Sequence, residues 1–183
     1  MKITKTPLSE LVVLEPKVIG DHRGYFMESF QELWFVENVS DTKFIQDNES
    51  KSSKGVLRGL HFQKPPFDQA KLVRVIQGEV LDVAVDLRKD SQTYGQHYSI
   101  LLTSKNKKQL FIPRGFAHGF LVISETAIFS YKVDNLYSPS HDSGLVWNDS
   151  DLGIDWKMSA SLIQLSEKDK VQGTLKNFLT PFS

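Results

Sequence analysis

The apolar residues of this chain come in short runs rich in Val, Ile, Leu and Phe, of which Lys71–Leu87 (KLVRVIQGEVLDVAVDL) and Phe111–Ile123 (FIPRGFAHGFLVI) are the clearest. Runs of that length and composition read as strands, and their recurrence at roughly 8–12 residues is the spacing of an all-β sandwich or barrel. Turn-forming clusters separate them at Ile19–Gly24, Ile76–Glu79, Ser104–Lys108 and Ser138–Gly144. Two segments break the pattern. Ser29–Val39 (SFQELWFVENV) sets Phe30, Leu33, Trp34 and Glu37 at helical spacing and predicts a short helix near residues 29–38. Near the C-terminus, Leu165–Leu175 carries Ser166 and Asp169 in the spacing of an N-terminal capping box, which predicts one or more further helices there. No repeat, low-complexity tract or linker interrupts the chain, so residues 1–183 are expected to form one domain.

Against that background Gly55–Gln63 (GVLRGLHFQ) stands out, because an arginine and a histidine sit inside an apolar, strand-forming run. Side chains alternate along a strand, so Arg58 and His61 should point to opposite faces. Gly59 lies between them, and glycine is a usual site of a β-bulge, whose extra residue can turn both side chains toward one cavity. A bland account of His61 is a core histidine bonded to backbone. Its surroundings favour a site. Lys71 and Arg74 lie inside the next β-rich run, and a lysine is almost never fully buried unless paired. His118 shares a strand face with Phe116 and Phe120. The simplest account is a cavity that binds an anion.

Charge narrows the ligand. The 183 residues carry 22 Lys and Arg against 22 Asp and Glu, a formal net charge of zero. A nucleic-acid binder shows a basic excess or stripe, so none is expected here, and an anion must be held by a local cluster. The absence of cysteine excludes disulfides, thiolate metal sites and a cysteine nucleophile. The N-terminus lacks the apolar core of a signal peptide and no stretch reaches membrane-span length, so the expectation is a cytoplasmic protein without membrane contacts.

An antiparallel architecture with polar residues on inner strand faces fits the double-sheet jelly roll of the cupin type, a double-stranded β-helix. Pro113-x-Gly115-x-x-His118 resembles the second short cupin motif, and Leu60–Gln63 lies where the first would hold metal ligands. A metal-binding cupin shows His-x-His there. This chain has His61, Phe62 and Gln63, so an amide replaces one ligand and no carboxylate completes a facial set. No metal is expected.

Six segments, in order, resemble the dTDP-4-dehydrorhamnose 3,5-epimerase family of metal-independent cupins: Asp21–Phe30, Phe44–Ser52, Gly55–Pro66, Lys71–Arg88, Ile112–Phe120 and Leu165–Lys170. The resemblance implies a cofactor-free enzyme that inverts C3 and C5 of dTDP-4-dehydro-6-deoxy-D-glucose, giving dTDP-4-dehydro-β-L-rhamnose on the route to dTDP-L-rhamnose. Both carbons flank the C4 ketone, so the chemistry needs a base, a cation for the enolate oxygen and an acid. By the resemblance His61 is the base, Asp169 the carboxylate that orients it, Lys71 the cation near O4, and Tyr131 the acid on the opposite sugar face. The competing roles are a capping aspartate, a strand lysine reaching to water, and a barrel tyrosine with a bonded hydroxyl.

The same resemblance assigns the substrate contacts. Arg23, Arg58 and His118 match positions around the diphosphate and sugar, where arginine's planar fork suits phosphate oxygens. Glu28, Gln46, Asp47 and Asn48 match the strip that holds deoxythymidine, Tyr137 the aromatic that stacks on thymine, and Lys168 a further nucleotide contact. Asp142 stands where the family usually carries a glutamate, one methylene longer, and the Lys64–Lys71 loop also departs from the commoner family version. The family forms homodimers in which N-terminal strands extend the partner's sheet, so Arg23, Phe26 and Glu28 are expected to serve the neighbouring site.

Other readings stay open on sequence. A mono-epimerase acting at C3 or C5 alone, or a ketoisomerase on a related dTDP-4-keto-6-deoxysugar, would use the same groups. A metal-dependent cupin would need further ligands, and Gln63 argues against it. A noncatalytic sugar-binding jelly roll would keep the arginines and Tyr137 but have no use for the base and acid.

Overall fold

The structure, a computed structural model, describes residues 1–182. In chain order its strands are β1 (Lys2–Lys5), β2 (Val12–Glu15), β3 (Val18–Asp21) and β4 (Gly24–Met27), then, after helix α1 (Glu32–Asn38), β5 (Gln46–Ser53), β6 (Leu57–Gln63), β7 (Lys71–Gln77), β8 (Glu79–Asp86), β9 (His97–Thr103), β10 (Gln109–Ile112), β11 (Phe116–Val122), β12 (Thr126–Val133) and β13 (Asp142–Gly144). They assemble into a six-stranded sheet ordered β1-β2-β10-β7-β12-β5, a five-stranded sheet ordered β13-β6-β11-β8-β9, and a separate β3-β4 hairpin. All named pairings are antiparallel, as the short apolar runs predict.

Alternation along β8 shows how the layers form. Val80 and Ala84 face inward and pack with Val73, Val75 and Phe129 of the opposite sheet. Leu81, Val83 and Val85 face outward, where Leu145, Leu152, Trp156 and Phe182 from the C-terminal segment cover them. A strand covered on both faces is apolar at nearly every position, which is why this stretch reads as a continuous run. The outer face of the six-stranded sheet is covered at one end by a Phe30–Phe35–Phe44–Phe111 cluster in tilted and edge-on contacts.

Helix α1 forms where its spacing predicts it, capped by the Gln31 side chain accepting from the Trp34 N–H. Its buried side chain lies outside that spacing. Phe35 is 1% exposed and packs on Phe111, whereas Leu33 is 70% exposed. Leu33, Trp34 and Glu37 instead line an open cleft with Phe26 and Glu28 of the hairpin.

The expected short C-terminal helices are present in their briefest form. Among the described residues this region holds only one-turn 3-10 segments, at Ala160–Leu162, Asp169–Val171 and Leu175–Asn177. The capping contact does form, with Ser166 Oγ accepting from the Asp169 N–H at 3.2 Å. The backbone turns extended at Gln172, ahead of Gly173, so the cap starts a single turn.

The bulge in β6 is present. His118 of β11 faces His61, and Phe120 faces Arg58, so two steps along β11 match three along β6. Gly59 occupies it with φ +137°, and a Cβ there would lie 2.5 Å from Gly119 Cα. Only glycine fits so close a backbone crossing.

Candidate active site

Between the two sheets lies a cavity of about 470 Å³ whose lining includes Arg58, His61, Lys71, His118, Tyr131 and Asp169. The bulge explains how Arg58 and His61, three residues apart, reach the same space while Leu60 and Phe62 enter the core beneath the sheet. His61 and His118 come from the five-stranded sheet, on adjacent strands in direct register. Lys71 and Tyr131 come from the six-stranded sheet, on β7 and β12, with Tyr131 opposite Val73. The imidazoles and the phenol therefore stand on opposing walls. Phe120 and Phe129 stack at 4.2 Å between centroids and give the cavity an apolar side.

His61 Nε2 lies 2.5 Å from Asp169 Oδ1, a contact between residues 108 apart in sequence. Burial alone would raise the Asp169 carboxyl, but hydrogen bonds to His61 and Ser166 and the charges of His61 and Lys168 outweigh it and hold the carboxyl below its ordinary value. An ionised carboxylate only accepts hydrogen bonds, so Nε2 carries the hydrogen, and Nδ1 is the nitrogen that holds the lone pair whenever the ring is neutral. Asp169 thus serves as cap and as dyad partner at once, because the cap uses its N–H and the dyad its side chain.

The other titratable groups are tuned by burial. Lys71 is lowered to about 8 by burial, against the raising charges of Asp82 and Asp142, while Lys168 lowers it further. Burial pushes the Tyr131 phenol up, with Arg58 opposing, so it remains protonated at neutral pH. His118 is 7% exposed, and its Nε2 lies 3.0 and 3.1 Å from the two oxygens of Asp82. Burial holds its imidazole below the ordinary value despite Asp82.

The remaining expected residues lie elsewhere. Alternation along β5 puts Gln46 and Asn48 on the cavity face, Asn48 opposite Tyr131, and Gln46 Nε2 donates to Asn48 Oδ1 at 2.8 Å. Asp47 points to the outer face and pairs with Lys132 at 2.8 Å. Arg74 lies on that outer face too, since three residues along a regular strand reverse the direction from Lys71. Tyr137, Asp142 and Lys168 form a cluster of their own. The Tyr137 hydroxyl donates to Asp142 Oδ2 at 3.0 Å, and the Lys168 ammonium contacts the same oxygen. Arg23, Phe26 and Glu28 sit exposed on or just after the β3-β4 hairpin, outside the cavity lining, with Arg23 paired to Asp21 at 2.7 Å.

Sequence reasoning missed Asp82, which is 0% exposed and bonded to His118. Its signal was available: in VLDVAVD the alternation places Asp82 on the same face as Val80 and Ala84, a carboxylate on an inner strand face.

The family model described as dTDP-4-dehydrorhamnose 3,5-epimerase matches residues 5–177. A relative of that description from Methanothermobacter thermautotrophicus is 53% identical over 171 residues, 92% of this chain and 91% of the relative. The crystal structure of a dTDP-4-dehydrorhamnose 3,5-epimerase from Elizabethkingia anophelis NUHP1 superposes with a TM-score of 0.93 at 51% identity, covering 97% of each chain. A dTDP-6-deoxy-D-glucose-3,5-epimerase from Legionella pneumophila Philadelphia 1, in complex with dTDP-4-keto-L-rhamnose, gives a TM-score of 0.95 at 44% identity, covering 100% of this chain and 98% of that one.

Proposed function

The chain belongs to the dTDP-4-dehydrorhamnose 3,5-epimerase family, and we propose that it inverts C3 and C5 of dTDP-4-dehydro-6-deoxy-D-glucose to give dTDP-4-dehydro-β-L-rhamnose. The observation that carries this reading is the His61–Asp169 pair at 2.5 Å on one wall of a cavity whose other wall carries Tyr131 and Lys71. His61 Nδ1 removes the proton α to the C4 ketone, and the bonding pair moves into an enolate with its charge on O4. The Lys71 ammonium stabilises that oxygen in a site walled by Phe120 and Phe129, where a fixed charge acts far more strongly than in water. The Tyr131 phenol returns a proton to the opposite face of the carbon, and the same cycle serves the second centre. Asp169 holds the His61 ring and stabilises the imidazolium formed.

The nucleotide end is held at and beyond the cavity mouth. Arg58 supplies a guanidinium at the cavity for the diphosphate, Gln46 and Asn48 continue its face along β5, and Tyr137 offers a half-exposed ring for the thymine. Asp142 and Lys168 position that ring through the shared carboxylate. Arg23, Phe26 and Glu28 act in the site of a second copy, in a homodimer whose N-terminal segment pairs with the partner. This is supported by a hairpin that leaves Ile19, Tyr25 and Phe26 at 58%, 58% and 66% exposure. Residues 1–183 act as one jelly-roll unit, and a cytoplasmic site of action fits a nucleoside diphosphate sugar as substrate.

NMR of the substrate incubated in D₂O with EDTA tests the proposal. Deuterium should enter at both C3 and C5 with inversion at each. Exchange at one carbon would establish a mono-epimerase, and a moved carbonyl a ketoisomerase. No exchange at either carbon would remove the assigned substrate.

A further inference from the structure

Gln63 occupies the position at which a metal-binding cupin would carry a ligand, yet it does not line the cavity. It is 5% exposed at the end of β6, two residues beyond His61. A buried carboxamide needs partners for its donors and its acceptor, and loop backbone supplies them. Nε2 donates to the carbonyls of Phe67 and Leu136 at 3.0 Å each, and Oε1 accepts from the Ser138 N–H at 2.6 Å. The reverse placing of the amide would set its oxygen against two carbonyls, so hydrogen bonding fixes this orientation.

Leu136 and Ser138 bracket Tyr137. The carboxamide therefore spans the Tyr137 backbone, donating to the carbonyl before it and accepting from the N–H after it, as a neighbouring strand would. Packing does not hold this segment, because Leu136 and Tyr137 are 59% and 58% exposed. The residues before it have other holders: Asp134 accepts from the Ala70 N–H at 2.7 Å, and the Asn135 carbonyl accepts from Gln69 Nε2 at 2.7 Å. The Leu136 carbonyl and the Ser138 N–H have Gln63. Its bond to Phe67 ties the same point to the Lys64–Lys71 loop, whose Phe67 ring lies 4.6 Å from that of His141.

We propose that Gln63 is a positioning residue for nucleotide binding: by fixing the peptides on both sides of Tyr137 it sets that ring before the nucleotide arrives. The inference rests on the reading that Tyr137 stacks on thymine. A ring already in place spares binding the cost of ordering it. The far end of the ring is referred to the same point, since its hydroxyl donates to Asp142, which stands directly opposite Gln63 in the β13-β6 register. The end of β6 thus places Tyr137 by backbone and by hydroxyl, while His61, two residues earlier on that strand, faces the sugar cavity. A glutamate at 63 would bring acceptors only, and an asparagine is one methylene shorter.

The test is calorimetric binding of dTDP to wild type, Gln63→Met, Tyr137→Ala and the double variant, with kcat and KM for each, and amide hydrogen exchange at Ser138 in the ligand-free protein. Tyr137→Ala should weaken dTDP binding roughly tenfold. Gln63→Met acts only through that ring, so it should weaken binding by less, about fivefold, raise KM to match and leave kcat within about twofold. In the Tyr137→Ala background it should add nothing. A general loosening of the fold would lower affinity equally in both backgrounds. That result, or full affinity in Gln63→Met beside a weakened Tyr137→Ala, overturns the inference. Full affinity in Tyr137→Ala instead defeats the thymine contact, and the inference falls with it. The Ser138 amide should be protected in wild type and exchange faster in Gln63→Met, and an unprotected wild-type amide overturns the inference whether or not the variant folds. If Gln63→Met does not fold, Gln63→Asn takes its place in the cycle with the same expectations. A wild type that binds dTDP but inverts neither carbon defeats the assigned reaction alone, because the binding cycle and the exchange are read without turnover.

Discussion

In the cavity, both histidines are answered by carboxylates from a distant part of the chain, whereas on the β3-β4 hairpin the ion pair is local. His61 meets Asp169 across 108 residues, and His118 meets Asp82 across 36. Arg23 meets only Asp21, two residues away and in solvent. Long-range pairs with buried carboxylates have fixed geometry, because the sheets and the C-terminal segment must both be in place for them to exist. A local exposed pair is weak and exchangeable, so it can be given up to a ligand or a second subunit at little cost. The cavity's pairs are therefore set within one chain, whereas the hairpin's can be exchanged for a contact outside it.

The largest expected effect lies in the cavity. His61→Ala should lower kcat by about 10²–10⁴-fold and abolish deuterium entry at C3 and C5, because the base is removed while the binding groups stay. Tyr131→Phe should behave differently. Proton abstraction on the His61 side continues, so deuterium should still enter, but with retained configuration, and the inverted product should form at a small fraction of the wild-type rate. Inversion surviving undiminished in Tyr131→Phe would show that the acid comes from elsewhere.

A smaller effect comes from pH. The Lys71 ammonium is lowered to about 8 by burial. Its working form is the protonated one, present below that value and lost as pH rises through it. The kcat/KM profile, which reports the free enzyme, should therefore fall above pH 8, by about tenfold for each further unit. A profile flat to pH 9.5 would mean that Lys71 keeps its proton or that its charge is not used.

How much of this was legible in sequence follows the same division. Strand alternation and the glycine at 59 located the bulge that brings Arg58 and His61 together, since both are local properties of one run. The antiparallel class was legible for the same reason. Local pattern failed where a residue's partner is distant. The helical spacing of α1 marked the helix but left out Phe35, which Phe111, contributed by β10, makes the buried side. The capping box at Ser166 formed its hydrogen bond and led into a single 3-10 turn. Asp82 went unnoticed because its partner, His118, lies on another strand. The side chain of Asp47 is settled by pairing with Lys132 on the outer face, a direction fixed only once β5 is registered against β12.

The smallest expected effect belongs to the hairpin, and it separates a contribution within the chain from one between chains. Arg23→Ala removes an exposed guanidinium that touches none of the catalytic groups within its own chain. It should raise KM about tenfold, the scale of one lost charged hydrogen bond, and leave kcat within about twofold. Taken alone, such a change does not say whose site lost the contact. Mixing does. A subunit carrying His61→Ala has an intact hairpin and a dead cavity, and a subunit carrying Arg23→Ala has the reverse. If the hairpin serves the neighbouring site, a mixed dimer holds one complete site, formed by the hairpin of the first subunit and the cavity of the second. Equilibrating the two variants should then yield a fraction of turnover with wild-type KM that grows with the fraction of mixed dimer. If Arg23 serves its own chain, every working cavity in the mixture still lacks it, and the raised KM should persist at all ratios.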